Sequence, residues 1–317
     1  MKKRLVISDI YRAKNKSAFF AMHQAVTVLH DFDIEFHILW DDINYRDEWT
    51  DKIDSFGFNL VSYTKKQLDE YCLNYGISQD IVDKFPNFWA IYCIIHAHYL
   101  KSNNICNYYL IYDDDIILRE DLKDFKYCLE NEIPCLLYEP LNSNCDKSMA
   151  NLLFSMYENS LDYYQSINPR LYGFNAGIQG ISLDMYEDFL EPEYFNLLLN
   201  LFNYKSIKDS EGKEITGPER FLIETQEQSF ISIMNIIRSK KIPIILKEEK
   251  YFVCPNWGNH PIYGEIDPIN EFDGWDVSMK SNIVHFIGHT FLNGIYYGKP
   301  KMYHKLVDEY LKKQNII

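Results

Sequence analysis

Apolar and polar positions follow two alternating periods along the chain. Residues 4–8 are a short apolar run of the kind that forms a buried parallel strand. Phe19, Met22, Val26 and Leu29 then recur at helical spacing, with Ser17 placed to cap the helix they define. Residues 34–40 read as a second strand, and 65–75 and 88–100 return to the helical period. Residues 108–112 form an apolar strand that runs directly into three aspartates. Further strands are predicted over 133–138, 242–247 and 282–286, and a helix over 226–238. This order predicts an α/β fold with one mostly parallel sheet and helices on both faces. The polar stretch 203–219, with Gly212, Gly217 and Pro218, reads as a loop or small insertion. Residues 254–275, rich in turn formers, read as an irregular lid or wall.

Open parallel sheets bind ligands beyond the carboxyl ends of their strands, so residues just after a strand carry the chemistry. Asp113, Asp114 and Asp115 stand at such a place. Three carboxylates closing a buried strand repel one another unless a cation sits between them. In an extended chain residues i and i+2 point the same way. Asp113 and Asp115 can therefore share one ion, Mn²⁺ or Mg²⁺, while Asp114 points elsewhere. A solvated acidic turn is the alternative.

Three weaker signals follow. In the block 172–180, small residues flank Asn175, whose amide can both donate to and accept from sugar hydroxyls; a bulge or tight turn explains the same residues. Glu227 and Gln228 open the helix predicted over 226–238, where they either face a pocket or form a polar first turn. His285 closes the strand 282–286, as a metal ligand or as a hydrogen-bonded core residue. His96 and His98 stand two apart on a helix, so their rings diverge and are read as structural.

Composition narrows the classes. With 47% hydrophobic and 25% charged residues, the 317-residue chain is neither disordered nor a coiled coil. Its net charge of −14 repels phosphate backbones and argues against nucleic acid as a partner. Seven cysteines without C-x-x-C spacing predict reduced thiols in a cytoplasmic protein. The amino-terminal stretch has only three consecutive apolar residues, too few for a signal peptide, and no run approaches the ~18 needed to cross a bilayer. At the other end, Leu306, Val307, Tyr310 and Leu311 fall at helical spacing beside Lys299, Lys301, Lys305, Lys312 and Lys313. Such a tail either docks on the domain, the favoured reading, or rests weakly on the inner face of an anionic membrane.

Taken in chain order, these motifs resemble glycosyltransferase family 8, over about residues 5–289. The resemblance implies a GT-A-like domain over 1–298 with a helical tail over 299–317. It implies a retaining, Mn²⁺-dependent transfer of a hexose from a nucleotide-diphosphate sugar, most often UDP-linked, to a glycan acceptor. A bacterial surface polysaccharide or lipooligosaccharide is the favoured acceptor class. The stretch 5–11, with Ser8, Asp9 and Tyr11, matches the family's nucleotide-binding start. Asp113, Asp115 and His285 match its metal ligands, with Asp114 and Gly288 beside the nucleotide. Asn175, Ala176 and Gly177 match the donor-sugar block, and Glu227 and Gln228 the pair near the anomeric carbon. The chain diverges at two family cations: residues 88–99 contain no Arg, and Phe291 stands where the family has Lys. An inverting transferase, a sugar nucleotidyltransferase and a non-catalytic nucleotide-sugar-binding module are the other classes that an acidic metal motif fits.

Overall fold

The computed structural model describes residues 2–10, 14–39, 41–42, 44, 46–76, 89–119, 122–139, 173–183, 244–246, 251–254, 258–260, 264–266, 282–286, 291–292, 295–296 and 301–317. The order begins β1 (Lys3–Ile10), α1 (Lys16–Val28), β2 (Phe32–Leu39), α2 (Glu48–Ser55), β3 (Leu60–Tyr63), α3 (Lys65–Asn74) and α4 (Trp89–Ser102). It continues with β4 (Tyr108–Tyr112), β5 (Ile116–Leu118), α5 (Lys123–Asn131), β6 (Cys135–Glu139) and β7 (Gly173–Ser182). Then come β8 (Ile244–Leu246), β9 (Tyr251–Cys254), β10 (Gly258–His260), β11 (Gly264–Ile266), β12 (Ile283–Phe286), β13 (Phe291–Leu292), β14 (Ile295–Tyr296) and α6 (Lys301–Lys313).

Seven strands form the main sheet in the order β3-β2-β1-β4-β7-β6-β8. β7 runs antiparallel to both neighbours, and the other four pairings are parallel. A second sheet, β5-β12-β9, stands apart from it. Strand alternation distributes the helices. Leu5, Ile7, Phe36 and Ile38 join Phe19, Phe20 and Met22 of α1 in one buried core. The intervening residue His37 points to the other face, where its ring meets His96 of α4. The sheet is therefore mostly parallel and covered on both faces, as the α/β pattern predicts.

Local chemistry sets the helix starts. α1 is capped by Asn15 rather than Ser17, because the helix begins at Lys16 and Ser17 already lies within its first turn. Asn15 Oδ1 accepts from the Ala18 amide at 3.0 Å. Capping boxes start α2, through Asp47 and Thr50, and α3, through Thr64 and Gln67. The wall expected over 254–275 contains an ordered antiparallel pair, β10 with β11. The helix expected over 226–238 and the loop over 203–219 lie outside the described residues. Cys72, Cys106, Cys128 and Cys135 form no disulfide, and burial pushes the Cys72 and Cys106 thiols up to about 12. Among the described residues, no helix is long and apolar enough to cross a membrane.

The C-terminal helix α6 turns its apolar stripe inward. Tyr303, Val307 and Leu311 are buried in the core shared with α1, and Leu306 and Tyr310 pack against it. Burying Val307 and Leu311 contributes roughly 1.5–3 kcal/mol each, an upper estimate. Lys16 pairs with Asp308, and His23 Nδ1 lies 2.8 Å from the Tyr310 hydroxyl. Lys52 donates to the Ile316 carbonyl at 3.0 Å, which ties the end of the chain to α2.

A polar chain, exposed at Arg4 and buried at its two histidines, joins the sheet to α4. Arg4 donates to both oxygens of Glu35 at 2.7 and 2.8 Å, and His37 Nε2 lies 2.7 Å from Glu35 Oε1. His37 Nδ1 lies 2.8 Å from His96 Nε2, and His96 Nδ1 has no partner among the described residues. Burial would raise the Glu35 carboxyl, but the bonds from His37 and Arg4 outweigh it and lower it. Burial lowers His37 against the opposing pull of Glu35, and it holds His96 well below the usual histidine range. Both rings therefore stay neutral in the fold and take up protons on unfolding, near pH ~6.5. Their contribution to stability is complete above that pH and is lost as pH falls below it. Thermal melts from about pH 7.5 down to about pH 5.5 should show a shallower fall for His96→Gln than for the wild type. Equal slopes would exclude His96 as a source of acid lability.

Candidate metal centre

The acidic run is the point at which the chain leaves one sheet for the other. β4 ends in the main sheet at Tyr112, Asp114 and Asp115 form a turn, and β5 enters the second sheet at Ile116. There Ile116 pairs with His285 of β12, next to Asp115. Backbone register thus brings together residues about 170 positions apart. His285 Nε2 lies 3.0 Å from Asp115 Oδ1 and 3.6 Å from Asp113 Oδ2. One ligand atom from each of the three residues falls within 4.8 Å of the others. Asp113 and Asp115 converge through a turn, not through the extended i, i+2 geometry that the sequence suggests.

The donor set fits a divalent cation. Two carboxylate oxygens are hard anionic ligands, and the imidazole nitrogen suits a transition ion such as Mn²⁺. The side chains of Asp115 and His285 are only 8% and 7% exposed, whereas that of Asp113 is 38% exposed. Two donors thus sit inside, and the third is partly exposed beside them.

The turn is held by backbone contacts from three sides. The Asp113 amide donates to the Gly177 carbonyl at 2.8 Å. The Tyr303 hydroxyl donates to the Asp114 carbonyl at 2.6 Å. Gln24 Nε2, buried on α1, donates to the Ile116 carbonyl at 3.2 Å and to the Tyr112 hydroxyl at 2.7 Å. Burial, reinforced by the charge of Asp114 and only partly offset by a side-chain hydrogen bond with Ser17, pushes the Tyr303 phenol well up, so it keeps the proton it donates. No motif in the sequence marks Gln24 or Tyr303 for this duty. Each reads there as one more position on a helix.

The block 172–180 is a strand with a register jump. Opposite β6, the partner changes from Gln179 at Leu136 to Asn175 at Leu137. Gly177 sits against the imidazole. A Cβ there would lie 2.3 Å from His285 Cε1 and 2.5 Å from its Nδ1. The glycine therefore makes room for the ring while its carbonyl anchors Asp113. Asn175 and Ala176 directly precede it on β7. The pairing of Ser8 with Ile111 sets the end of β1, including Asp9, beside the acidic turn. Ser8 is fully buried, and its Oγ has no hydrogen-bond partner among the described residues. Tyr11, Glu227, Gln228 and Gly288 lie outside the described residues.

No family model and no curated protein matches the sequence. Among solved structures, the chain is similar to mouse xyloside xylosyltransferase 1, at 12% identity over 90% of this chain and 97% of that one, with a TM-score of 0.44. It is similar to the galactosyltransferase LgtC in complex with donor and acceptor sugar analogues, at 12% identity over 96% and 95%, with a TM-score of 0.42. It is also similar to core-mannan synthase A from Aspergillus fumigatus in its Mn/GDP form, at 9% identity over 78% and 73%, with a TM-score of 0.43.

The Gly177 contact makes a double-mutant test possible. Gly177→Ala should destabilise the protein by about 1–3 kcal/mol, the usual cost of overpacking. In a His285→Ala background the same change should cost much less, because the atoms it strikes are gone. Urea unfolding of the four variants measures both costs; equal costs would show that the ring is not what excludes a side chain at 177.

Proposed function

We propose that the chain is a metal-dependent glycosyltransferase that moves a hexose from a nucleotide-diphosphate sugar, UDP-linked in the favoured case, to a glycan acceptor. The observation that carries this reading is the meeting of Asp113, Asp115 and His285 at the carboxyl end of β4, beside the exit of β1. It is there that open α/β sheets bind ligands. The residue-by-residue resemblance to glycosyltransferase family 8 supplies the reaction class. On this reading residues 1–298 form the catalytic GT-A-like domain, the protein is cytoplasmic, and its acceptor is a bacterial surface polysaccharide or lipooligosaccharide.

Asp113, Asp115 and His285 would hold Mn²⁺, which supplies Lewis-acid stabilisation of the charge that develops on the leaving diphosphate. Asp9 and Tyr11 would hold the base, with Ser8, Asp114 and Gly288 near the nucleotide. Asn175, Ala176 and Gly177 would line the donor sugar, where close-packed small residues let backbone approach hydroxyl groups. Glu227 and Gln228 would stand near the anomeric carbon. There an oxygen stabilises positive character on the ring during a reaction with retention. The glycan acceptor would enter from the open side, where Asp113 is partly exposed.

The test is a hydrolysis screen over a panel of nucleotide sugars with and without Mn²⁺, which needs no acceptor. The wild type should release nucleotide diphosphate from one donor, and chelator should stop it. Asp115→Ala should lower that rate by about 100-fold or more, equivalent to several kcal/mol of lost charge stabilisation. Its fold should persist, since removing one carboxylate also relieves repulsion. Full activity of Asp115→Ala in chelator would contradict the assignment. Synthesis of a nucleotide sugar from a nucleoside triphosphate would replace it with a nucleotidyltransferase.

A further inference from the structure

The C-terminal helix reaches the acidic turn through Tyr303. Tyr303 lies in the first turn of α6 and is 0% exposed. Its ring packs edge-on against Phe20 of α1, with centroids 6.3 Å apart. Its hydroxyl continues past that contact and donates to the Asp114 carbonyl at 2.6 Å. That carbonyl belongs to the peptide joining Asp114 to Asp115. Fixing its direction fixes the plane from which the Asp115 side chain departs. The helix that presents Tyr303 is itself anchored further along, by Asp308 to Lys16, by Tyr310 to His23 and by the Ile316 carbonyl to Lys52. None of these anchors is a candidate metal ligand.

We propose that Tyr303 is a positioning residue and α6 a strut: through the Tyr303 hydroxyl, the helix holds the Asp114–Asp115 peptide so that Asp113 and Asp115 share one cation with His285. The inference rests on the reading of those three residues as a metal centre. It gives the tail a duty beyond filling the core, and the two duties reside in different atoms. The ring packs, and the hydroxyl orients the turn.

Two kinds of variant of the full-length chain separate them, with Mn²⁺ alone as the probe. Tyr303→Phe keeps the ring and removes the hydroxyl. Isothermal titration should show Mn²⁺ binding weakened about tenfold, at the low end for loss of a residue that orients a metal ligand. Tyr303→Met, also without the hydroxyl, should behave alike and serves if the Phe variant does not fold. Val307→Ala loosens the same helix without touching the turn. It should lower the melting temperature at least as much as Tyr303→Phe does and leave Mn²⁺ affinity within about twofold of the wild type. Wild-type affinity in Tyr303→Phe, or an equal loss in Val307→Ala, would overturn the positioning role. Asp115→Asn separates that failure from failure of the metal reading. If the wild type binds Mn²⁺ no more tightly than Asp115→Asn does, both ideas fall. If Asp115→Asn loses Mn²⁺ and Tyr303→Phe does not, only the strut falls.

Discussion

Two carboxylates and an imidazole converge within 4.8 Å at the junction of two sheets, with most of their surface out of water. Like charges at about 4 Å repel by about 4 kcal/mol at an effective dielectric of about 20. A neutral hydrogen bond contributes only about 0.5–1.5 kcal/mol. The bonds to the turn from Gln24, Tyr303 and the Asp113 amide are thus individually smaller than the repulsion they oppose. A divalent cation removes the repulsion outright and converts it into attraction. The surrounding architecture serves this constraint: the glycine beside the ring, the buried amide on α1 and the phenol on α6 all fix the shape of one short turn.

The junction also explains why the centre is assembled from distant stretches. β4 belongs to the mostly parallel main sheet, and open sheets of that kind bind ligands beyond the carboxyl ends of their strands. β5 belongs to the smaller sheet, which carries His285 on β12. A chain that stayed within one sheet would carry the third aspartate onward along the strand. The turn at Asp114 and Asp115 instead returns it toward the imidazole. Gly177 reaches the same place from β7, which within the main sheet runs antiparallel to both its neighbours.

Much of this was legible in the sequence because it rests on local periodicity. The strand over 108–112 and the α/β alternation follow from runs of apolar residues, and Asp113 with Asp115 follows from charge at a strand end. The role of His285 depended on a family resemblance, since an isolated histidine on an apolar strand carries no sign of its partner. Asn15 rather than Ser17 as the cap of α1 turns on a one-residue shift, which periodicity does not resolve. The turn geometry of Asp114 and Asp115 was not legible, because it depends on pairing between β5 and β12 across the chain. Nor were the contacts of Gln24 and Tyr303, or the Glu35–His37–His96 chain. Each is polar chemistry buried by tertiary packing, at a position whose neighbours in sequence say nothing of it.

The central claim is that one cation lies among Asp113, Asp115 and His285. Anomalous diffraction at the manganese edge, from crystals grown with MnCl₂, tests it without reference to any donor or acceptor. The account predicts one strong peak within coordinating distance of an oxygen from each aspartate and of His285 Nε2. A peak elsewhere, or no peak at this place with manganese in the crystal, would contradict it.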